Sequence, residues 1–364
     1  MPTACILSTV DMSRMTMVSV YIEYFEKNNI PYDIIYVDRY KDKPAFRARK
    51  LYAYNVERFV NAAFPIKLAH YWRMRPFARK ILKENEYDFV VVWGELAAFI
   101  FADVLKDVVP GRYCLNIRDY FYNKIAPVQW RLKTAVRAAS FCTVSSEAYL
   151  EYLPTGNFMM LHSLNPRMLS GLEAKKTLRE RGKPIRILYL GLIARLEYVH
   201  KLIDELGNDD RYELVFAGIG AEHVDEYIAG KDIRNVVTYG RFPQSETAKY
   251  LEQADVLYNL YGHGNRHFDL ALSIKLYYAL FLNIPIMAFD HTHTHSVAAQ
   301  CELAFSVDCD DFSGMGDRLY DWYYSVDVQK TGEKSRRYMQ KALESHEELY
   351  RRITAVITKS ESKG

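Results

Sequence analysis

Two cations lie six residues apart after an apolar run near the middle of the chain. Residues 187–190 are apolar, Gly191 follows them, and Arg195 and Lys201 come next. A glycine at a strand end lets the backbone approach a ligand, and a guanidinium with an ammonium near a helix start can bind a diphosphate. An arginine and a lysine on the surface beside an ordinary strand-to-helix turn are the alternative, and these residues alone favour neither interpretation.

Three further apolar runs end in small or polar residues. They end at Gly218, at Gly240 with Arg241, and at Tyr261, and the helix-like stretch after the last one carries Asp269, Ser273, Lys275 and Tyr278. A single GxG pattern is weak support, since any tight turn favours glycine. Four successive strand ends of this kind are harder to explain by packing. They favour a ligand site beyond the carboxyl ends of a parallel sheet.

A run of alternating histidines, His291-Thr292-His293-Thr294-His295, raises the question of a metal site. Alternate histidines on a strand would share one face, as zinc ligands can. Only Asp290 lies nearby as a further ligand, so we predict no metal here. We interpret His293 and His295 as part of a polar binding loop, which His263 and His267 from another predicted loop could approach.

The elements that must position these residues alternate short β-branched runs with longer amphipathic stretches, which predicts an α/β protein with parallel sheets. Strands are expected at 4–10, 32–37, 89–93, 112–117, 140–144, 158–161, 185–190, 213–217, 236–239, 256–260, 284–288 and 304–307. Helices fill the gaps, including two basic helices separated near Pro65. The polar stretch 165–184 is the expected linker, and a long charged helix covers about 333–358.

Length and composition exclude several classes of protein. At 364 residues the chain is too long for one small core, which favours two domains. A hydrophobic content of 49% and a net charge of +3 exclude a largely disordered chain. The apolar run 279–289 is too short to span a membrane, and residues 1–12 lack the features of a signal peptide. The five scattered cysteines predict reduced core residues of a cytoplasmic protein.

Positive charge is concentrated in the segment 39–83. It holds 13 Lys and Arg residues, two acidic residues and nine aromatic residues. Basic and aromatic residues together suit an anionic membrane surface. A solvated helical face with its aromatic side chains in the core is the alternative. No nucleic-acid-binding motif accompanies the segment, so we expect no nucleic-acid partner.

The sequence resembles GT-B fold glycosyltransferases of the large retaining family 4 (glycosyl transferases group 1), and most closely the capsular and exopolysaccharide enzymes of bacteria. The residues that carry the resemblance are 87–95, 115–120, 191–204, 240–242, 259–262 and 269–278. The resemblance implies two Rossmann-like, doubly wound domains facing a central cleft. Residues 1–165 would bind the acceptor and 166–334 the nucleotide-sugar donor, with a helix of about 335–358 packing back on the first domain.

Several donor-binding roles follow from the resemblance. Arg195 and Lys201 match the family's arginine and lysine that bind the donor diphosphate, and their charge would stabilise the leaving nucleotide without a metal. Ser273 and Lys275 match the start of the helix beside the nucleotide. The loop of Gly240 and Arg241 matches the one that borders the base. The resemblance therefore implies a UDP-sugar substrate and neither a cofactor nor a metal.

The sequence departs from the family in two places. The family has a pair of glutamates at the helix after residue 268, the second of which usually holds the ribose, but Leu270, next to Asp269, and Tyr278 occupy those positions. Arg118 and Asp119 stand where the larger family often has a histidine. Asp119 or Glu95 could accept the acceptor's proton if the reaction inverts. If the reaction retains, the departing phosphate can do so, and Asp119 could equally be a structural partner of Arg118 or a helix cap.

The leading hypothesis from the sequence is a cytoplasmic glycosyltransferase attached peripherally to the inner face of the cell membrane. It would transfer a sugar from a UDP-linked donor to a polyprenyl-diphosphate-linked saccharide in capsule or exopolysaccharide synthesis. Two alternatives stay open: a non-catalytic GT-B partner of an active transferase, and a nucleotide-sugar epimerase. No complete GxGxxG follows a strand, so an NAD-dependent oxidoreductase is the least supported class.

Overall fold

The computed structural model describes residues 1–15, 17–39, 46–56, 63–119, 125–262 and 264–362. The chain divides into two compact units. The first unit is Met1–His162 with Leu343–Gly364, and the second unit is Ser163–Ala342. The sequence predicts the division at residue 165, with the returning helix from about residue 335.

The first unit has a parallel sheet in which β1 lies at the centre. Among the described residues its strand order is β3-β2-β1-β4-β5-β6-β7. The order reverses direction at β1, as in doubly wound sheets, where ligands bind outside the carboxyl ends of the strands. The strands are β1 Ala4–Ser8, β2 Tyr32–Asp38, β3 Lys50–Asn55, β4 Phe89–Trp93, β5 Tyr113–Ile117, β6 Phe141–Val144 and β7 Phe158–Met160.

Local sequence explains where the helices of this unit begin. Pro65 lies in the first turn of α2 and Pro127 in that of α4, where proline costs no hydrogen bond. Gly94, at a φ of 90°, turns the chain from β4 into α3. The helices are α1 Ser19–Lys27, α2 Phe64–Asn85, α3 Glu95–Val108 and α4 Ala126–Ala138.

The expectation of two basic helices around Pro65 is wrong. Pro65 starts a single helix, α2, and residues 50–55 form the edge strand β3, which pairs with β2. Arg49 explains part of the difference, because it forms an ion pair at 2.6 Å with the fully buried Asp33 of β2 and thereby holds the basic segment against the sheet. Residues 40–45 and 57–62 of the basic segment lie outside the described residues.

The second unit repeats the parallel architecture with the strand order β10-β9-β8-β11-β12-β13 among its described residues. Its strands are β8 Ile185–Leu190, β9 Tyr212–Ala217, β10 Val236–Tyr239, β11 Val256–Asn259, β12 Ile286–Phe289 and β13 Ala304–Val307. Its helices are α5 Leu196–Leu206, α6 Ala221–Ile228, α7 Thr247–Gln253, α8 Arg266–Leu270, α9 Ile274–Leu282, α10 His293–Gln300 and α11 Met315–Tyr323. Both predicted parallel α/β sheets are therefore present.

The last helix, α12 Val328–Glu361, contributes residues to both units. Leu349, Ile353 and Ile357 of its later turns are buried in the core of the first unit, together with side chains of α1 and β1. The hydroxyls of Tyr24 and Thr354 are 2.7 Å apart and fix this packing. No helix among the described residues combines the length and apolar character needed to cross a bilayer.

Candidate functional site

The carboxyl edge of the second sheet gathers the glycine-containing loops that the sequence analysis singled out. Strands β9, β8, β11 and β12 are neighbours and parallel, so the loops that follow them meet at one edge. Gly191 and Gly218 touch through their backbones. A Cβ on Gly218, whose φ is +146°, would lie 1.6 Å from the carbonyl oxygen of Gly191. Gly218 therefore permits a contact between two loops that no other residue could make.

Arg195 lies at the end of the loop 191–195, immediately before α5. It adopts the left-handed conformation with φ 57° and ψ 53°, which is uncommon for arginine. Its guanidinium lies 3.7 Å from Glu197 and over the ring of Phe268, and its side chain is 35% exposed. The guanidinium is thus accessible at the sheet edge, as the diphosphate role requires.

Lys201 lies six residues after Arg195, nearly two turns along α5, and its ammonium is directed at a different loop. Its Nζ donates a 2.9 Å hydrogen bond to the carbonyl oxygen of Cys309, in the loop after β13. The ring of Phe312 lies beside it, with its centroid 5.5 Å from Nζ. In this structure Lys201 therefore ties α5 to the loop after β13.

Lys275 in the first turn of α9 is buried, with 6% of its surface exposed. Its Nζ donates to the hydroxyl of Tyr261 at 3.0 Å and faces the rings of Tyr261 and Tyr189. Burial lowers the pKa of this lysine to about 7. Tyr189 could not be recognised from the sequence, because a tyrosine inside an apolar strand gives no signal of a polar role.

The start of α9 is fastened to its neighbour α10. Ser273 caps α9, its hydroxyl accepting from the backbone N–H of Lys275 at 3.3 Å. The backbone N–H of Ser273 donates to the hydroxyl of Thr294, which in turn donates to the carbonyl oxygen of Ala271. Ser273 is therefore a helix cap whose position fixes the turn that carries Lys275.

Asp269 on α8 meets the histidine segment. Its carboxylate lies 3.4 Å from Nε2 of His291. A Cβ on Gly262, at a φ of +114°, would approach the same carboxylate to 2.5 Å, so the loop after β11 packs closely against Asp269. The structure therefore brings Asp269 and the start of the histidine segment together, while His263 lies outside the described residues.

The two histidines predicted for a loop lie instead in a helix. His293 and His295 occupy the first turn of α10. Nε2 of His295 is 2.6 Å from the hydroxyl of Ser306, and burial lowers the pKa of His295. Among the described residues, the group close enough to share a metal is Asp308, Cys309 and Asp310, which includes no histidine.

The remaining predicted donor residues differ in burial. Tyr278 is 6% exposed, and burial raises its pKa to about 12, so it packs within the unit. Gly240 and Arg241 follow the edge strand β10 and are exposed. A side chain on Gly240 would meet open space, so packing does not require glycine there.

The carboxyl edge of the first sheet holds the predicted catalytic carboxylates. Glu95 begins α3 after β4 and is 4% exposed, whereas Asp119 follows the neighbouring strand β5 and is exposed. Arg118 donates to the carbonyl oxygen of Leu161 at 3.4 Å. Burial raises the pKa of the Tyr149 phenol, and the charges of Asp119 and Glu95 raise it further while Arg118 opposes them. Asp119, Glu95 and Arg118 therefore all lie close to Tyr149.

Two buried histidines at this edge were not found from the sequence. His162 and His346 lie in contact, with Nε2 of His346 3.5 Å from the carbonyl oxygen of His162. Burial, His346 and Arg118 lower the pKa of His162 to about 4. Their separation of 184 residues along the chain hid the pair.

Known proteins resemble this protein in structure rather than in sequence. The sequence matches no protein-family model and no curated protein. The structure is similar to sucrose-phosphate synthase from Thermosynechococcus elongatus, at 13% identity over 97% of this chain and 99% of that chain, with a TM-score of 0.68.

Two further solved structures are similar over nearly all of both chains. One is the E. coli trehalose-6-phosphate synthase bound with UDP-2-fluoro glucose, at 8% identity, covering 98% of this chain and 99% of that one, with a TM-score of 0.66. The other is the lipopolysaccharide outer core galactosyltransferase WaaB, at 14% identity, 98% and 99% coverage and a TM-score of 0.63. Because both units carry open parallel α/β sheets and the likeness to these transferases spans the chain, the protein has the GT-B fold.

Proposed function

We propose that the protein is a glycosyltransferase that moves a sugar from a UDP-linked donor to an acceptor hydroxyl. The observation that carries the proposal is a set of three basic side chains, Arg195, Lys201 and Lys275, on elements that begin at the carboxyl edge of one parallel sheet. That edge is where open α/β sheets bind ligands, and a diphosphate is the anion that several fixed cations suit. The similarity to a structure that contains UDP-2-fluoro glucose supports the same donor class.

The chemistry assigned to the site is stabilisation of the departing nucleotide. Negative charge grows on the diphosphate as the bond to the sugar breaks, and fixed cations lower the energy of that state. Arg195 and Lys201 would supply this charge, so we expect activity without a divalent metal. Glu95 and Asp119 of the first unit are the candidates to accept the proton of the acceptor hydroxyl.

We further propose that the acceptor is a polyprenyl-diphosphate-linked saccharide of capsule or exopolysaccharide synthesis, reached at an anionic membrane surface. Helices α2 and α4 present exposed apolar side chains: Ile66, Trp72 and Trp130, with Ile125 just before α4. Exposed basic residues on the same helices are Arg73, Lys80, Lys83, Lys133 and Arg137. Aromatic rings among lysines and arginines suit the headgroup region of an anionic bilayer.

Part of the basic segment has another use within the unit. Arg75 stacks on Trp72 from helix α2, and Arg131 of α4 stacks on the same ring, at 4.5 and 4.7 Å from its centroid. Both guanidinium groups also pair with Asp103 of α3. These two arginines fix the orientation of Trp72 between the helices, whereas the exposed Arg73 and Lys83 of α2 would meet the membrane.

One observation favours a second candidate function, a non-catalytic partner of an active transferase. Tyr278 occupies the position where the resemblance expects a ribose-binding glutamate, and it is buried. A buried tyrosine cannot offer the carboxylate that holds a ribose in the related enzymes. A partner of this kind would bind the nucleotide of a donor without transferring the donor's sugar.

The test is a calorimetric and thermal-shift screen of the full chain against UDP, ADP, GDP and CDP, first without metal. We expect saturable binding of UDP, lost in Arg195→Ala. UDP-sugars are then incubated with and without a polyprenyl-diphosphate saccharide. Acceptor-dependent release of UDP supports the transferase, binding without turnover supports the partner, and interconversion of sugars without acceptor supports an epimerase. No nucleotide binding at millimolar concentration would contradict the donor site.

A further inference from the structure

Lys275 carries a buried amino group that lacks a carboxylate partner among the described residues. Its one hydrogen-bond acceptor there is the hydroxyl of Tyr261, although an ammonium can donate three hydrogen bonds. Lys175 of the same unit offers a contrast, since its Nζ pairs at 3.0 Å with the buried carboxylate of Asp255. A buried charge without a counter-ion is costly. A lysine at position 275 is therefore better explained by a function such as ligand binding than by the stability of the protein without a ligand.

The hydroxyl of Tyr261 connects Lys275 to the loop that carries Arg195. It lies 2.7 Å from the hydroxyl of Tyr189 and 3.3 Å from the carbonyl oxygen of Leu192. The hydroxyl of Tyr189 accepts from the backbone N–H of Ala194 at 2.9 Å. A hydrogen-bonded chain thus runs from Lys275 through two tyrosines to the backbone next to Arg195.

The surroundings of Lys275 explain why its ammonium form is disfavoured. Burial is the cause of its lowered pKa of about 7, and no charged side chain contributes. The tyrosines are not ionised near neutral pH, because burial raises the pKa of both Tyr189 and Tyr261.

The elements packed against α9 carry few other groups that titrate. Strand β11 contributes Tyr258, whose pKa burial also raises, and strand β12 (Ile-Met-Ala-Phe) contributes none. Helix α10 carries His293 and His295, and the lowered pKa of His295 leaves it neutral near pH 7. An anion arriving at the loop 191–195 would therefore be the main new charge that Lys275 meets.

We propose that binding of the donor diphosphate charges Lys275, so that the protein takes up one proton from solvent as the nucleotide binds. The proton adds to Nζ, and the resulting ammonium is stabilised by the nearby phosphate charge. Tyr261 and Tyr189 are positioning residues, which couple this ammonium to the backbone that presents Arg195. The inference rests on the proposed function, because it takes a nucleoside diphosphate as the ligand.

The test is calorimetric titration of the full chain with UDP at pH 8 and pH 9, each in two buffers of different ionisation enthalpy. The dependence of the observed heat on the buffer gives the number of protons taken up. We expect the uptake to approach one proton per UDP bound as the pH rises from 8 to 9, because Lys275 is then mostly neutral before binding. The affinity for UDP should fall about tenfold between pH 8 and pH 9, since each binding event then requires a scarcer proton.

Lys275→Met is the decisive variant, since it keeps the buried shape and removes the amine. It should bind UDP more weakly, without proton uptake and with the same affinity at both pH values. Tyr261→Phe keeps Lys275 but removes its acceptor, so it should keep proton uptake while the affinity falls. Lys249→Met, an exposed lysine of α7 in the same unit, is the control and should behave as the unaltered protein.

The outcomes separate this inference from the proposed function. UDP binding with no proton uptake by the unaltered protein overturns the role of Lys275 and leaves the donor site standing. Proton uptake that persists in Lys275→Met also overturns it, because another group would then be the one that titrates. Absence of any UDP binding by the folded, unaltered protein overturns both proposals together.

Discussion

The carboxyl edges of the two sheets carry opposite chemistry on the same architecture. The edge of the second unit presents Arg195, Lys275 and loops that depend on glycine. The edge of the first unit presents the carboxylates of Glu95 and Asp119. Both units have parallel α/β sheets, so their loops lie at equivalent positions after the strands. The chemical difference between the two edges therefore comes from the side chains in those loops. The proposed function assigns anion binding to the edge of the second unit and proton acceptance to the edge of the first.

Buried groups at the two edges also change protonation state in different ranges of pH. Burial places the pKa of Lys275 near 7, whereas the buried His162 in the first unit has a pKa near 4. Both groups are neutral in the folded protein at mildly alkaline pH. The comparison predicts that substitutions at one edge change nucleotide binding, whereas substitutions at the other change turnover or acid stability.

The largest expected effect is on nucleotide binding. Arg195→Ala should weaken UDP binding and donor turnover by at least about 100-fold, because it removes a fixed cation at the anion-binding edge. Calorimetry with UDP checks this. Arg234→Ala is the control, since that arginine is exposed and pairs only with Asp232 among the described residues. Equal UDP affinity in both variants would contradict the assignment.

A substitution at the other edge should separate turnover from binding. If Glu95 is the general base, Glu95→Gln lowers kcat by about 100-fold and leaves UDP affinity within about twofold. Steady-state rates with a lipid-linked acceptor, beside UDP titrations, measure both quantities. Asp119→Asn is the paired variant, as the two carboxylates are the rival candidates. Unchanged kcat in both would indicate that the departing phosphate takes the proton.

Gly218→Ala should destabilise the second unit by about 3 kcal/mol. The new Cβ would collide with the backbone of Gly191, at a φ that side chains rarely adopt, so the loops must separate. Gly240→Ala is the matched control, because a Cβ there meets open space. Urea unfolding of both variants measures the difference. A Gly218→Ala protein as stable as Gly240→Ala would refute the contact.

Acid should destabilise the first unit through His162 by about 3 kcal/mol. The folded pKa of His162 is about 4, below the usual value near 6.5, so between these values the unfolded chain binds more protons. The stabilisation is therefore complete above pH 6.5 and is lost as the pH falls towards 4. His162→Gln should flatten this dependence in unfolding curves recorded from pH 4 to 7. An unchanged slope would show that other groups dominate.

The smallest expected effect concerns the membrane surface. Trp130→Ser should weaken binding to vesicles that contain anionic phospholipid by about fivefold, which corresponds to about 1 kcal/mol of lost apolar burial. Sedimentation with phosphatidylglycerol vesicles measures it. Leu150→Ser is the control, since Leu150 is an exposed apolar residue of the same unit flanked by Glu147 and Glu151. Equal losses in both variants would argue against a membrane role for α4.

Much of the fold could be predicted because its signals are local. Strands β8, β10 and β13 begin and end where their apolar runs do, and glycines mark the loops that follow β8 and β9. The failure at β3 has a physical cause. Residues 50–55 are basic and aromatic, and their edge-strand state depends on pairing with β2 and on the ion pair of Arg49 with Asp33. Neither the pairing of β3 with β2 nor the ion pair of Arg49 with Asp33 can be recognised from the pattern of residues 50–55 alone.

By itself, the sequence determined the alternation of strands and helices, the concentration of basic residues in the segment 39–83, and the presence of Arg195, Lys201 and Lys275 after strands or at helix starts. Only the tertiary structure decided what those residues meet. It directed Lys201 to Cys309 and buried Lys275 against two tyrosines, Tyr189 of β8 and Tyr261 of the loop after β11. The physical reason is that hydrophobic periodicity and turn formation depend on a few residues that are neighbours in the sequence. Burial, hydrogen-bond partners and pKa values depend instead on residues that are distant in the chain.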